Sequence, residues 1–470
     1  MKQAAKLSKW VIVLAFICTH AAAQQRHDMS VKQAVDYAMK NSTMIKNSLL
    51  DVNIQEQTNR EFTSAAYPQI DGTIAANYYA KVPIQTFPNF IATGTYYVLQ
   101  QEGVKNGSGN PITVPSDVGF IEAQFGTRYT GSAGVNLNQV LFDGQVFVGL
   151  QARSAAMDFA RKGAEVTQEQ IKANIYKVYY QLVVGIKQVG TVDANIERVE
   201  KTLHDTKEMF KNGFAEKLDV SKTEVNLTNL KTEKVQLENQ LQSGFLGLKI
   251  LLGMPAADLL VLTDTLSLER ENELAKEVLE GTYSYENRKE YQQVELAKKL
   301  GEYNIKRYKY TYFPVLSAFG SYSYNAQRND FSFFDFKQKW FPTALIGLKM
   351  NVPIFDGFAK DARVKRAQFQ LTQTINNMEN LKLSIDQEVE AARINMRSAM
   401  ASLDFQRKNM EVAEDVYNQT KKKYEQGLGS TLEVTNADSD LKIAQTNYYN
   451  ALYSAIIAIV DYRKATGTLQ

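Results

Sequence analysis

The chain has 470 residues, with 54 basic and 51 acidic side chains, three histidines and one cysteine. Near-neutral charge excludes the strongly basic surface that a nucleic-acid partner requires. His20, His27 and His204 are scattered and Cys18 stands alone, so there is no material for a disulfide framework, a thiolate metal site or a histidine-centred catalytic group. No cofactor and no catalytic residue are expected, and the chain does not read as an enzyme.

Lys2, Lys6 and Lys9 precede the apolar run Trp10 to Ile17 and the small residues Ala21, Ala22 and Ala23. That is the layout of a secretory signal peptide over residues 1–23, with cleavage after Ala23. The apolar run is shorter than the roughly 20 residues a bilayer core requires. The bulky Phe16-Ile17 ahead of Cys18 is a poor context for lipid attachment. Ser30 and Gln33 have capping-box spacing and open a helix over about 29–66. Strands follow over about 69–79 and 125–140, separated by a stretch from Lys81 to Gln124 that holds four of the nine prolines and the run Gly107-Ser108-Gly109-Asn110-Pro111. Such chemistry reads as a loop.

Residues 116–254 and 354–470 contain no proline, which permits long helices. The expected helices are 144–212 and 217–252 in the first half, then 286–312, 357–426 and 431–466 in the second, with strands over 315–325 and 340–352. Apolar residues recur every three or four positions from Ile171 to Leu203, and the pattern repeats from Ile375 to Tyr417 with steps of three, four or seven, the spacing of a coiled-coil seam. A helix from residue 144 to 212 would be roughly 100 Å long at about 1.5 Å per residue, far beyond the ordinary globular helix.

The chain is built twice. Phe142-Asp143-Gly144 recurs as Phe355-Asp356-Gly357, an offset of 213, and the run from Phe210 to Gly213 recurs from Tyr424 to Gly427, an offset of 214. Tyr67-Pro68 recurs as Phe313-Pro314 at an offset of 246, the difference being an insertion between residues 68 and 142. The first repeat spans 24–255 and the second 256–470. Each supplies a pair of strands and then a long helical hairpin.

Along the second strand, Tyr129, Ala133, Val135 and Leu137 alternate with Thr130, Ser132, Asn136 and Asn138. Leu316, Ala318, Tyr322 and Tyr324 alternate with Ser317, Ser321, Ser323 and Asn325, although Val315 and Phe319 interrupt the polar side. Segments of this length and pattern in an exported chain suit a membrane barrel, with lipid outside and water inside. The competing reading is an antiparallel sheet packed on a soluble core. Four strands are too few to enclose a solute, and an open sheet edge is not tolerated in lipid. A barrel would therefore be shared among copies of the chain.

These residues resemble the TolC-like outer membrane efflux family over nearly all of the chain beyond the signal. Asn351-Val352-Pro353-Ile354-Phe355-Asp356-Gly357 is similar to the family's strand-to-helix junction, and Phe142, Asp143 and Gly144 form a first copy in which Val140 stands where proline is common. The helical turns at Gly213, Phe214 and Ala215 and at Gly427, Leu428, Gly429 and Ser430 resemble its periplasmic tips, where an adaptor docks. The run from Asn287 to Glu290 resembles the start of its second half. The resemblance implies an α+β membrane protein, a homotrimer whose four transmembrane β-strands per chain make one 12-stranded barrel. Its long antiparallel coiled-coil helices would form a periplasmic α-helical tube. It implies an outer-membrane location in a Gram-negative-type cell, and a passive duct working with a periplasmic adaptor (membrane fusion) protein and an inner-membrane pump or transporter. Drug or toxic-compound efflux and polypeptide export by type I secretion use the same architecture, and a structural envelope coiled coil is a more distant alternative. Glu433 matches an acidic position of the family's periplasmic gate, Asn436 replaces a second acidic residue, and Gly429 replaces a basic residue that would pair with Asp219.

Overall fold

The structure is a computed structural model, and it describes residues 25–264 and 283–469 apart from Phe125 and Phe336. The signal segment 1–23 lies outside the described residues. The chain divides into two compact units, one of residues 1–58, 152–304 and 365–470 and one of 59–151 and 305–364. Both draw on both halves of the sequence, so the repeats are units of sequence and not of packing.

In the larger unit, helix α1 (Val31–Asn41) starts at Ser30, whose hydroxyl accepts from the Gln33 N–H at 3.3 Å while the Ser30 N–H donates to the Gln33 side chain at 2.8 Å. The single helix expected over 29–66 is two helices, because the chain bends at Ser42 before α2 (Thr43–Ser64) begins. The bend lies against the end of α5 (Lys217–Leu252), where a Cβ on Gly253 would come 2.4 Å from the Asn41 carbonyl oxygen. The second repeat makes the same close approach, with a Cβ on Gly467 coming 2.7 Å from the Asn287 carbonyl oxygen. Both glycines end their helices in the left-handed region, at φ 70° and 71°.

Two short strands that the periodicity does not announce, β1 (Arg26–Met29) and β6 (Leu259–Leu262), pair in parallel. Tyr179 on the long helix α4 (Gly144–Lys211) locks them from below. It is fully buried, donates to the Met29 carbonyl at 2.9 Å and accepts from the Asp264 N–H at 3.3 Å. Burial pushes its phenol up to about 12. Ile171, Ile175 and Leu182 of α4 pack around it with Leu248 and Leu252. Each such side chain contributes roughly 1.5–3 kcal/mol of apolar burial. Not all of the seam is internal, since Ile186 is exposed.

The second repeat supplies α6 (Lys289–Lys309), α7 (Ala359–Glu425) and α8 (Thr431–Thr466), with Ile385, Val389 and Met396 packed on Ile459 and Tyr462. The residues leading into α6 are pinned by polar contacts: Arg288 is buried and bonds Glu290 at 3.1 Å, Glu388 at 2.9 Å and the Ala465 carbonyl at 3.0 Å. α4 and α7 have 68 and 67 residues, while α5 and α8 have 36 each, so the repeat holds in element length.

The smaller unit carries a four-stranded antiparallel sheet of β2 (Gln69–Tyr78), β5 (Tyr129–Phe142), β7 (Val315–Arg328) and β8 (Phe341–Asn351), in the order β2-β5-β7-β8. β5 starts later than the alternation suggests and runs on to Phe142 through an irregularity between Val140 and Phe142. The stretch from Lys81 to Gln124, expected as loop, contains a hairpin of β3 (Ile84–Pro88) and β4 (Phe120–Gln124) with helix α3 (Phe90–Gln101) between them. Proline and glycine mark its turns and mask its short elements. Pro88 sits at the last position of β3, where its missing N–H is tolerated.

Candidate functional site

The strand register decides what the sheet can do. It aligns Ile70 with Leu137, Gly72 with Val135 and Ile74 with Ala133; next come Leu137 with Gly320, Val135 with Tyr322 and Ala133 with Tyr324; last, Ala318 with Leu348 and Gly320 with Ile346. One face is thus apolar across all four strands, because side chains alternate with period two and the register keeps their parity. It is also uncovered: Ile74 is 89% exposed and Ile346 90%. The opposite face carries Asp71, Thr73, Asn136, Ser323, Asn325 and Thr343. There the Asn136 amide donates to Asp71 and Thr73 at 3.0 Å each, and the Asn325 amide to Thr343 at 3.0 Å. Val315, Phe319, Phe341 and Leu345 interrupt this polar face, Phe319 by covering Gly347, where a Cβ would come 2.6 Å from its ring. One end of the sheet is ringed by aromatics: Tyr129 lies tilted against Tyr78 at 5.0 Å and meets Phe331 edge-on at 5.8 Å, and Phe333 lies 6.1 Å from Trp340.

At the junctions, Asp143 accepts from the Gln145 N–H at 2.8 Å and Asp356 from the Lys360 N–H at 3.0 Å. The aspartates of the repeated Phe-Asp-Gly triplet thus satisfy free N–H groups where the long helices begin, where negative charge is also favoured. The two copies differ in backbone. Gly144 starts α4 directly, and a Cβ there would strike Tyr310 at 2.6 Å. Gly357 takes φ 65° and Phe358 φ 66°, so α7 starts only at Ala359. A left-handed phenylalanine costs about 1–3 kcal/mol and nothing in the sequence announces it. Phe358 meets Phe355 edge-on at 5.6 Å, both rings exposed, just past Pro353.

Both tips close in the same way. Gly213, at φ 81°, donates to the Phe210 carbonyl at 3.1 Å and Phe214 to the Met209 carbonyl at 2.9 Å. Gly427, at φ 75°, donates to Tyr424 at 2.9 Å and Leu428 to Lys423 at 3.0 Å. This paired arrangement ends a helix on a left-handed glycine. It leaves Phe214 79% and Leu428 71% exposed. Ala215 is half-buried, and Ser430 caps α8 by accepting from the Glu433 N–H at 3.2 Å. Beneath the tips, the Tyr424 hydroxyl donates to the Met209 sulfur at 3.1 Å, joining the two repeats.

The three residues expected at a gate are not brought together within one chain: among the described residues no hydrogen bond or ion pair joins Asp219, Glu433 and Asn436. Asp219 accepts from the Glu216 N–H at 3.2 Å at the start of α5. Glu433 pairs with Lys423 at 3.1 Å, the carboxylate being 49% exposed, and Asn436 is exposed. A Cβ on Gly429 would lie 3.4 Å from the same Glu433 oxygen. A basic partner therefore does stand at this tip, supplied from Lys423 and directed to Glu433.

Sequence reasoning missed a buried polar cluster several turns from the tips. Asn195 and Arg198 of α4, Tyr417 of α7 and Asp438 of α8 converge there. One signal pointed to it, since Asp438 falls within the apolar stripe Val434, Ala437, Leu441. Among the described residues, no helix is long and apolar enough to cross a membrane, and no group of His, Cys, Asp and Glu is placed to hold a metal ion.

Residues 284–468 match the family model of the outer membrane efflux protein. The second half of the chain thus carries the outer membrane efflux protein domain, and the chain is similar to the TolC-like outer membrane efflux proteins. It is 23% identical over 346 residues to the outer membrane protein TolC of Vibrio cholerae, covering 72% of this chain and 77% of that one. It is 21% identical over 365 residues to a toluene efflux pump outer membrane protein of Pseudomonas putida, covering 77% and 74%. The fold is that of the Campylobacter jejuni CmeC outer membrane channel, with a TM-score of 0.70 at 16% identity over 94% of this chain and 86% of that one. The helix-rich α+β fold is therefore that of the family's channels.

Proposed function

We propose that the protein is a passive outer-membrane duct of a tripartite export system. Three copies close one 12-stranded barrel, and their long helices form a periplasmic tube. The observation that carries this reading is the two-faced sheet: an apolar, uncovered face backed by a polar one, with free backbone along the outer edges of β2 and β8. In water such a sheet exposes an apolar patch that invites aggregation. Turned outward into lipid and closed by copies of itself, it satisfies both its apolar face and its edges, and the polar face lines the lumen. The exposed Phe214 and Leu428 at the tips are the surface offered to a periplasmic adaptor, which links the duct to an inner-membrane pump. Glu433 and Asn436, repeated around a threefold axis, give one charged and one neutral ring at the narrow end.

The cargo class favoured is small molecules, supported by the toluene efflux relative; polypeptide export is the second reading. The purified protein in detergent is expected to have the mass of a trimer and to conduct ions in a planar bilayer. A stable monomer that stays soluble without detergent overturns the barrel.

A further inference from the structure

We propose that the free edge of β8 pairs with the free edge of β2 of a second copy in a register dictated by the chain's own repeat, with Asn351 opposite Thr73 and Lys349 opposite Ala75. This rests on the reading of the sheet as part of a shared barrel and goes on to specify its seam.

The sheet order leaves one unpaired edge on β2 and one on β8, and each uncovered backbone group in lipid costs several kcal/mol. Every pairing within the sheet is antiparallel, so β2 and β8 run in opposite directions, and joining them continues the alternation. The repeat supplies the register. Adding the offset 246 to the first strand of a hairpin and 213 to the second converts Gln69 opposite Asn138 into Val315 opposite Asn351, and Asn77 opposite Thr130 into Ser323 opposite Thr343. Both converted pairs are present. The two hairpins are therefore copies of one another residue by residue.

The β5–β7 pairing joins the second strand of one repeat to the first strand of the next. Among the described residues β8 has no strand on its outer side, and its counterpart partner is β2 of another copy. The same offsets convert Asn138 opposite Phe319 into Asn351 opposite Thr73, and Asn136 opposite Ser321 into Lys349 opposite Ala75. On the other face, Leu137 opposite Gly320 becomes Met350 opposite Ile74. Met350 and Ile74 are 61% and 89% exposed in the single chain. A slip of one residue would set each apolar side chain beside the polar face of its neighbour.

The test uses the full chain carrying Cys18→Ser, with either Asn351→Cys and Thr73→Cys or Lys349→Cys and Ala75→Cys. Within one copy the two edges are separated by three strand spacings, about 14 Å. Disulfides require Cα atoms within about 7 Å, so any disulfide joins different copies. Mild oxidation in detergent micelles should give a ladder of covalent multimers for both pairs. Pairs slipped by two residues, Asn351→Cys with Ala75→Cys or with Asp71→Cys, should crosslink at least about tenfold more slowly, since their geometry is poor. Faster crosslinking of a slipped pair overturns the register while leaving the shared barrel standing, as does an oligomer in which no pair crosslinks. A monomer with no crosslinks in any pair removes the barrel and the seam together. If one pair prevents folding, the other decides.

Discussion

The Arg198 Nε lies 3.5 Å from Asp438 Oδ1 between α4 and α8, with the Arg198 guanidinium 5.1 Å from the centre of the Tyr417 ring. Arg198 also donates to the Asn195 side chain. Neither the Arg198 Nε nor Asp438 Oδ1 completes a hydrogen bond of good geometry. Burial raises the Asp438 carboxyl above its usual range, and the opposing pull of Arg198 and Lys442 does not reverse it. For an acid raised in the folded state, protonation favours folding: the contribution is complete below the ordinary value near 3.8 and is lost as pH rises through the raised one.

Asp438→Asn, which mimics the protonated acid, should therefore melt at a higher temperature than the parent at pH 7. The gap should close as the pH approaches 4. Thermal melts at several pH values check this. A variant less stable at pH 7 would show that the ion pair outweighs the burial of its charge.

The glycines that end α5 and α8 carry a second prediction. Gly467→Ala places a Cβ 2.7 Å from the Asn287 carbonyl oxygen at a backbone φ of 71°. A left-handed alanine alone costs about 1–2 kcal/mol, and the clash adds to it. The loss should exceed about 2 kcal/mol in denaturant melts. Gly253→Ala should behave alike, since its Cβ would meet Asn41 at 2.4 Å. In contrast, Gly190→Ala meets nothing within 4 Å in mid-helix and should be neutral or stabilising.

What is legible in the sequence is whatever repeats locally. Asp143 and Asp356 declare helix starts because a cap acts on backbone two to four residues away, and Gly213 and Gly427 declare turns because only the left-handed region closes them. The alternation in β5 and β7 reveals the two faces. Contacts between distant segments leave no such mark: β1 pairs with β6 across more than two hundred residues, and Arg198 finds Asp438 at a similar separation. Phe358 is illegible for another reason, since its backbone contradicts the preference of its residue type. At the tip, the missing base at position 429 is conspicuous, while Lys423, one helical turn before Gly427, gives no sign that it will reach Glu433.

The exposed face of the sheet gives a third prediction. Ile346 is 90% exposed on the apolar face, in mid-strand and opposite Gly320. With that face in lipid, Ile346→Lys costs about 2–4 kcal/mol if the site lies at the bilayer midplane, and assembly into lipid vesicles should fall accordingly. Thr343→Lys, on the polar face, should assemble normally and shift ion selectivity toward anions. Equal tolerance of lysine at both positions would place neither face in lipid.

The last prediction concerns Glu433. Its carboxylate holds Lys423 at 3.1 Å within the same tip, and both side chains are about half exposed. An exposed pair of this kind contributes roughly 0–1 kcal/mol, so it does not fix the tip by itself. In a threefold assembly the same carboxylates would form a ring whose partial neutralisation by Lys423 sets the charge seen by a passing ion. Glu433→Gln removes the negative charge and leaves Lys423 unpaired, so the ring becomes positive. Single-channel currents should then lose cation preference and block by multivalent cations. Lys423→Gln should do the opposite, strengthening both by freeing the carboxylate. Stability should barely change in either variant, since the pair is solvated. Opposite shifts in selectivity from two neighbouring substitutions require that both groups face the pore. If neither variant alters the currents, Glu433 lies on the outer surface of the tip.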